Sequence, residues 1–263
     1  GDRGEERYRV KTAHLTETKQ AYEAFDEGRK ALRDNDLATA KSLAEKAIRF
    51  EPKEGIFYGL LGDVEREKQD HRKALQHYTR AIDLNPEFFY HYLQRGRTNE
   101  ELNLAKKAKA DLERSVTLLP TADAYYLLGN LSRDAGDVST AIDYYSKVVE
   151  SKSEIGKEAY GELVELDLPN NPGKYVKILR TWQNDQGVIV AEINNSTPKD
   201  IADIELAVSF KDEKGKTGRL SVRLRDNVSA NSKQLFDLGI TERLRQGKAT
   251  EYQLKLVKAK VVN

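Results

Sequence analysis

Side chains able to do covalent chemistry are few in this 263-residue chain, and none stands at the spacing such chemistry needs. The histidines are His14, His71, His77 and His91. None opens an H-E-x-x-H, and no two sit four apart on one helix, the spacing with which paired imidazoles hold zinc. His71 and His77 are six apart and fall on different helix faces, so packing or surface roles fit them. Gly215-Lys216-Thr217 has the ending of a phosphate-binding loop, but position 210, where that loop requires glycine, is Phe210. No G-x-S-x-G occurs, which removes the nucleophile elbow. Carboxylate pairs such as Glu65 and Glu67, or Glu100 and Glu101, point to different helix faces and have no apolar pocket that would raise a pKa. Cys is absent, and with it thiolate nucleophiles, Cys-ligated zinc and disulfides. Glycosylation triplets at Asn194, Asn195 and Asn227 are of a kind common by chance. No catalytic constellation results, so the chemistry to look for is binding.

Residues suited to binding recur in four sets: Tyr22, Phe25, Arg29 and Arg33; Asp63 and Arg66; Tyr90 and Arg97; Tyr126, Asn130 and Arg133. Tyrosine and arginine are the side chains in which interfaces concentrate their energy. In a peptide groove, Tyr22, Tyr90 and Tyr126 would supply apolar contact, while Arg29, Arg66, Arg97 and Arg133 would hold carboxylates or backbone carbonyls.

What must hold these sets in register is a repeat. AIRFEP (47–52), AIDLNP (81–86) and SVTLLP (115–120) return at a period of 34 residues. With Pro52, Pro86 and Pro120 in phase, Gly28, Gly62 and Gly96 align, as do Ala40, Ala74 and Ala108, and then Ala47, Ala81 and Ser115. A fourth copy lacks the proline and one residue but keeps Gly129, Ala141 and Tyr145. Within each copy two apolar runs of helical period flank a turn, at Asp34–Asp36, Gln69–Asp70, Asn103 and Gly136–Asp137. Small residues mark where two helices approach closely, and the proline ends the second helix. This pattern resembles the tetratricopeptide repeat, whose period is 34.

The resemblance implies stacked antiparallel helix pairs whose first helices line a concave wall. The four sets lie on that wall, in stripes reading Tyr22, Phe25, Arg29, Leu32, Arg33; Ile56, Gly59, Asp63, Arg66, Glu67; Tyr90, Leu93, Arg97, Glu100, Glu101; and Asp123, Tyr126, Asn130, Arg133, Asp134. Tetratricopeptide domains that clamp a chaperone's C-terminal carboxylate want Lys and Asn where this chain has Phe25, Arg29, Leu60 and Tyr90, which argues against that role. Residues 154–168 have helical periodicity without a partner helix and are expected to cap the array. Residues 14–20 are expected to extend its first helix.

At 166–175 (LDLPNNPGKY) the character changes. Period-two alternation follows in 175–182, 187–194, 204–210, 219–224, 233–239 and 252–262, with 212–216 as a hairpin turn and 194–200 as a loop. The expected fold is thus multidomain: an all-α tetratricopeptide superhelix of about four helix pairs with a capping helix (1–168), a linker (169–174), and an antiparallel β-sandwich of immunoglobulin-like type (175–263). Trp182 is expected in the core or at the edge of that sandwich.

The net charge of +1 conceals a split, with 27 Lys and Arg against 32 Asp and Glu in 1–173 and 17 against 11 in 174–263. No basic run is interleaved with aromatics, so nucleic acid is not an expected partner. No stretch approaches the ~18 apolar residues of a membrane-spanning helix, so no membrane insertion is expected. Protein or peptide ligands are the expected partners, and self-association stays open.

Phrases outside the repeat consensus, namely 5–15, 21–32, 51–64, 112–129 and 166–175, together resemble the tail of bacterial envelope zinc metallopeptidases of the H-E-x-x-H class, which carry such repeats after their catalytic domain. The resemblance implies a periplasmic or envelope location, a zinc-bearing catalytic domain before Gly1, no cofactor within this chain, and repeats that recruit substrates or partners. The absence of Met and the leading Gly1 are expected of a processed or partial chain. A free-standing envelope scaffold or assembly factor is the alternative.

Overall fold

The computed structural model describes residues 2–186, 188–212, 216–239 and 249–262. Its contacts divide the chain into two compact units, Gly1–Ala135 and Gly136–Asn263.

The first unit is all helix: α1 (Asp2–Arg33), α2 (Leu37–Phe50), α3 (Gly55–Glu67), α4 (His71–Leu84), α5 (Phe89–Glu101), α6 (Ala105–Leu118) and α7 (Ala122–Asp134). Its helix starts are written locally. Asp36 and Asp70 cap α2 and α4 by accepting from the backbone N–H of Thr39 at 3.1 Å and Lys73 at 3.2 Å. The residue before each cap, Asn35 (φ 58°) and Gln69 (φ 60°), takes the left-handed conformation that ends a helix and turns the chain back. In the next copy Asn103 (φ 57°) makes the same turn, but Leu104 offers no side-chain cap.

The aligned small residues are the contact points between paired helices. Ala40, Ala74 and Ala108 are fully buried, as are Ala47 and Ala81. A Cβ at Gly62 would stand 2.4 Å from the Tyr78 ring, and one at Gly96 would stand 2.8 Å from Leu112 Cγ. Glycine is thus required for α3 to meet α4 and for α5 to meet α6. Successive pairs then stack through Phe57, Leu60, Leu61 and Val64 of α3, which pack on α1 and α2.

The second unit holds α8 (Val138–Glu150), α9 (Glu154–Asp167), the one-turn α10 (Pro172–Tyr175) and strands β1 (Val176–Gln183), β2 (Ile189–Asn195), β3 (Ile201–Asp212), β4 (Thr217–Arg223), β5 (Ser232–Asp237) and β6 (Ala249–Val261). Two antiparallel three-stranded sheets form, ordered β1-β2-β5 and β4-β3-β6. Their inner residues, among them Ile189, Ile193, Leu206, Val208 and Phe236, share one core, to which α9 adds Val164 and the residue capping its C-terminus, Leu168. The α9–α10 junction, within the stretch read as a linker, is held by Asp167, which accepts from Asn171 Nδ2 at 2.6 Å, Lys174 Nζ at 2.7 Å and Tyr175 Oη at 2.6 Å. Trp182 lies on the edge strand β1, half-buried, with the Arg180 guanidinium 5.1 Å from its ring centre. Asn195, one of the glycosylation triplets, is fully buried, and its amide donates to the carbonyls of Lys199, Val228 and Ser229. The expected hairpin turn at 212–216 falls largely outside the described residues.

Replacing Gly62 with Ala is expected to lower stability by about 1–3 kcal/mol, because overpacking against the Tyr78 ring exceeds the roughly 1 kcal/mol that alanine gains from helix propensity. Gly173→Ala, where nothing lies within 4 Å of the added carbon, is the control. Urea denaturation followed by far-UV circular dichroism reads both.

Candidate functional site: a groove along the first helices

A cavity of about 480 Å³ opens between α1, α3 and α5. Phe25, Leu32, Ile56, Leu60 and Phe88 make its walls, Arg29 and Arg33 stand at its rim, and Asp63, Tyr90 and His91 line its polar side. Helical periodicity explains the convergence: Phe25, Arg29 and Leu32 share a face of α1, and Ile56, Gly59, Leu60 and Asp63 share a face of α3.

Of the residues expected from the sequence, Phe25, Arg29, Arg33, Asp63 and Tyr90 thus meet in one cavity. Tyr22 stands outside it, 40% exposed, with its ring edge on Phe57 and its hydroxyl donating to Glu54 at 2.9 Å. Arg66 and Arg97 are already engaged. Arg66 donates to Glu101 of α5 at 3.3 Å and to Glu67 at 2.6 Å, and Arg97 donates to Asp123 of α7 at 3.2 Å. These two arginines therefore join neighbouring first helices. Arg133 pairs with Asp134 at 3.0 Å. Tyr126 and Asn130 are half-buried on α7, beyond the cavity. Arg29 and Arg33 differ from these: both are exposed, and among the described residues neither has a carboxylate partner. The Arg29 guanidinium lies 5.6 Å from the Phe25 ring centre, so the apolar wall carries a cationic edge.

The polar side is organised by Asp63, which accepts from Tyr78 Oη at 2.8 Å and Tyr90 Oη at 3.0 Å. Burial pushes its carboxyl up to about 6, against the opposing pull of the two phenol hydrogen bonds and the Arg66 charge. The same burial and the nearby Asp63 charge raise both tyrosines. His91 is 1% exposed, and burial lowers its imidazole to about 4, so it is neutral. Its ring lies edge-on to Phe88, with centres 4.8 Å apart.

His91 and Phe88 were not among the residues expected to bind. The signal that could have found them is Gly59, which stands where the other copies carry Phe25, Leu93 and Tyr126. A Cβ at Gly59 would come within 2.6 Å of His91 Cε1. The missing side chain both hollows the cavity and lets the imidazole lie on α3.

A carboxyl held above its ordinary 3.8 favours the protonated native state, so stability is lost as pH rises from about 4 through about 6. Asp63→Asn, which stays neutral and keeps the shape, is expected to gain on the parent protein by roughly 2–3 kcal/mol between pH 4 and pH 7. Urea midpoints at the two pH values check this; a constant difference would show that Asp63 titrates normally.

Comparison with known proteins bears on the helices that frame the groove. Residues 25–87 and 122–155 match family models described as tetratricopeptide repeat. A segment of 89 residues, 34% of this chain, is 34% identical to a UDP-N-acetylglucosamine–peptide N-acetylglucosaminyltransferase of Giardia intestinalis, and the match spans 6% of that enzyme's length. Among solved structures, Pseudomonas aeruginosa pilF aligns with a TM-score of 0.54 at 17% identity, covering 58% of this chain and 69% of that one. MamA (41-end) of Desulfovibrio magneticus RS-1 aligns at 0.50 and 20% identity, covering 57% and 84%. At these identities the structural likeness speaks to fold alone. The two matched segments, which carry the C-terminal part of α1, all of α3 and all of α7, are tetratricopeptide repeats, a fold consistent with protein–protein interaction.

Proposed function

We propose that the groove along α1, α3, α5 and α7 binds peptide or unfolded-protein segments. The observation that carries this reading is the cavity itself, in which an apolar wall, two arginines without carboxylate partners among the described residues, and a buried polar side converge. Such a mixture suits a bound segment, with apolar side chains seated on the wall and charges or carbonyls met at the rim.

The wider resemblance of 5–15, 21–32, 51–64, 112–129 and 166–175 supports a finer version. In it, the array 1–168 is the recruiting tail of a periplasmic zinc metallopeptidase, and the β-sandwich 175–263 is an accessory domain of immunoglobulin-like type. The crossing of the chain between sheets after β2, after β4 and after β5 is in keeping with that type. In this version the zinc belongs to the peptidase domain. The same groove would serve a free-standing envelope scaffold. The mass and compartment of the native polypeptide, read from a blot of fractionated source cells, separate the two. A periplasmic band well above 29.8 kDa supports the peptidase tail, and a band near it supports the scaffold.

Photo-cross-linking tests the groove. Benzoylphenylalanine in place of Arg33 is expected to capture reduced, carboxymethylated α-lactalbumin, a permanently unfolded chain. The same probe in place of Lys46, exposed on α2 outside the groove, is expected to capture little. Equal capture at both positions, or none at either, would overturn the reading.

A further inference from the structure

The cavity between α1, α3 and α5 carries two unmet demands, and they point to one kind of occupant. The first is at its polar side. His91 Nδ1 and Nε2 are both buried and have no hydrogen-bond partner among the described residues. A neutral imidazole offers one donor and one acceptor, and leaving both unused inside a protein is costly. Asp63 does not answer them; its oxygens accept from Tyr78 and Tyr90. Tyr90 is likewise committed to Asp63.

The second demand is at the rim. Every other arginine of the stripe is paired: Arg66 with Glu101, Arg97 with Asp123, Arg133 with Asp134. Arg29 and Arg33, one turn apart on α1, have no carboxylate among the described residues. A guanidinium fork beside an apolar wall is suited to a carboxylate arriving from outside. Between rim and polar side lie Phe25, Ile56, Leu60 and Phe88, an aromatic and aliphatic lining about 480 Å³ in extent, within the range of pockets that hold a small organic group.

We propose that this cavity is the anchor subsite of the groove, and that it takes the side chain of a tyrosine whose neighbouring residue in the bound segment is acidic. The phenol ring seats against Phe25, Ile56 and Phe88, and its hydroxyl, donor and acceptor at once, meets a nitrogen of His91. The adjacent carboxylate meets Arg29 and Arg33. A phenylalanine or leucine would fill the walls but leave His91 orphaned, and tryptophan could only donate. The cavity thus selects by chemistry as well as by size. This inference rests on the peptide-binding reading of the groove and narrows it.

The test titrates the full ¹⁵N-labelled chain with four capped peptides that differ only at their centre, Tyr-Asp, Phe-Asp, Tyr-Asn and Leu-Asp in common Gly-Ser flanks, and follows amide chemical shifts. The Tyr-Asp peptide is expected to shift the amides of Gly59 and His91, and to bind about tenfold tighter than Phe-Asp or Tyr-Asn, the worth of one charged or buried hydrogen bond. In the Arg29→Gln, Arg33→Gln double variant the preference for Asp over Asn should vanish while that for Tyr over Phe remains. In His91→Phe the reverse should hold. The peptide series on the parent chain decides the matter even if His91→Phe fails to fold. Phe-Asp binding as tightly as Tyr-Asp, or shifts lying away from Gly59 and His91, would overturn the proposal. If α-lactalbumin is still captured at position 33 in that event, the groove reading stands and only the tyrosine subsite falls. If neither capture nor shifts occur, both fall.

Discussion

The first unit turns on one buried carboxylate. Asp63 receives a hydroxyl from Tyr78 of α4 and another from Tyr90 of α5, so a single side chain of α3 ties its own helix pair to the next. The arrangement is possible only because the neighbouring position is Gly62, over which the Tyr78 ring lies closer than any side chain would permit. Buried carboxylates are costly unless their lone pairs are used, and here two phenols use them. The same contact sets the polar side of the cavity. Packing within a pair, stacking between pairs and the chemistry of the groove thus share one group.

Around that point the groove is braced by charge. Arg66 reaches from α3 to Glu101 on α5, and Arg97 reaches from α5 to Asp123 on α7. Exposed ion pairs contribute little individually. Their consequence here is positional, since each holds adjacent first helices in register and removes an arginine from the supply available to a partner. Among the described residues, the arginines of the stripe left without a carboxylate partner are those at the α1 end, Arg29 and Arg33. In the second unit the organising device is similar in kind: Asp167 gathers Asn171, Lys174 and Tyr175 where helix gives way to strand.

Much of this was legible in the chain. The 34-residue period, the turns at Asn35, Gln69 and Asn103, and the six alternating segments that became β1–β6 all follow from rules acting within a few residues. The shared face of the first helices was legible too, because a helix repeats its faces every three to four residues whatever it packs against. Five of the expected residues, Phe25, Arg29, Arg33, Asp63 and Tyr90, line one cavity. Less legible were Arg66 and Arg97, which look like free binding groups until the partner carboxylate, 35 or 26 residues away, is brought to hydrogen-bonding distance. His91 looked like one histidine among four.

By itself, then, the sequence determined periodicity, helix and strand identity, and which residues face together, since each of these is a local property of backbone sterics and side-chain alternation. Tertiary structure alone decided which of those facing groups are consumed and which stay available. It decided that Gly59 leaves a hollow and not merely a gap in the pattern, that His91 fills its edge, and that α9 and its C-cap lend Val164 and Leu168 to the core of the sheets. The physical reason is the same in each case. A hydrogen bond or a packed contact depends on distance between residues remote in the chain, and burial acquires its electrostatic consequence only once that distance is set.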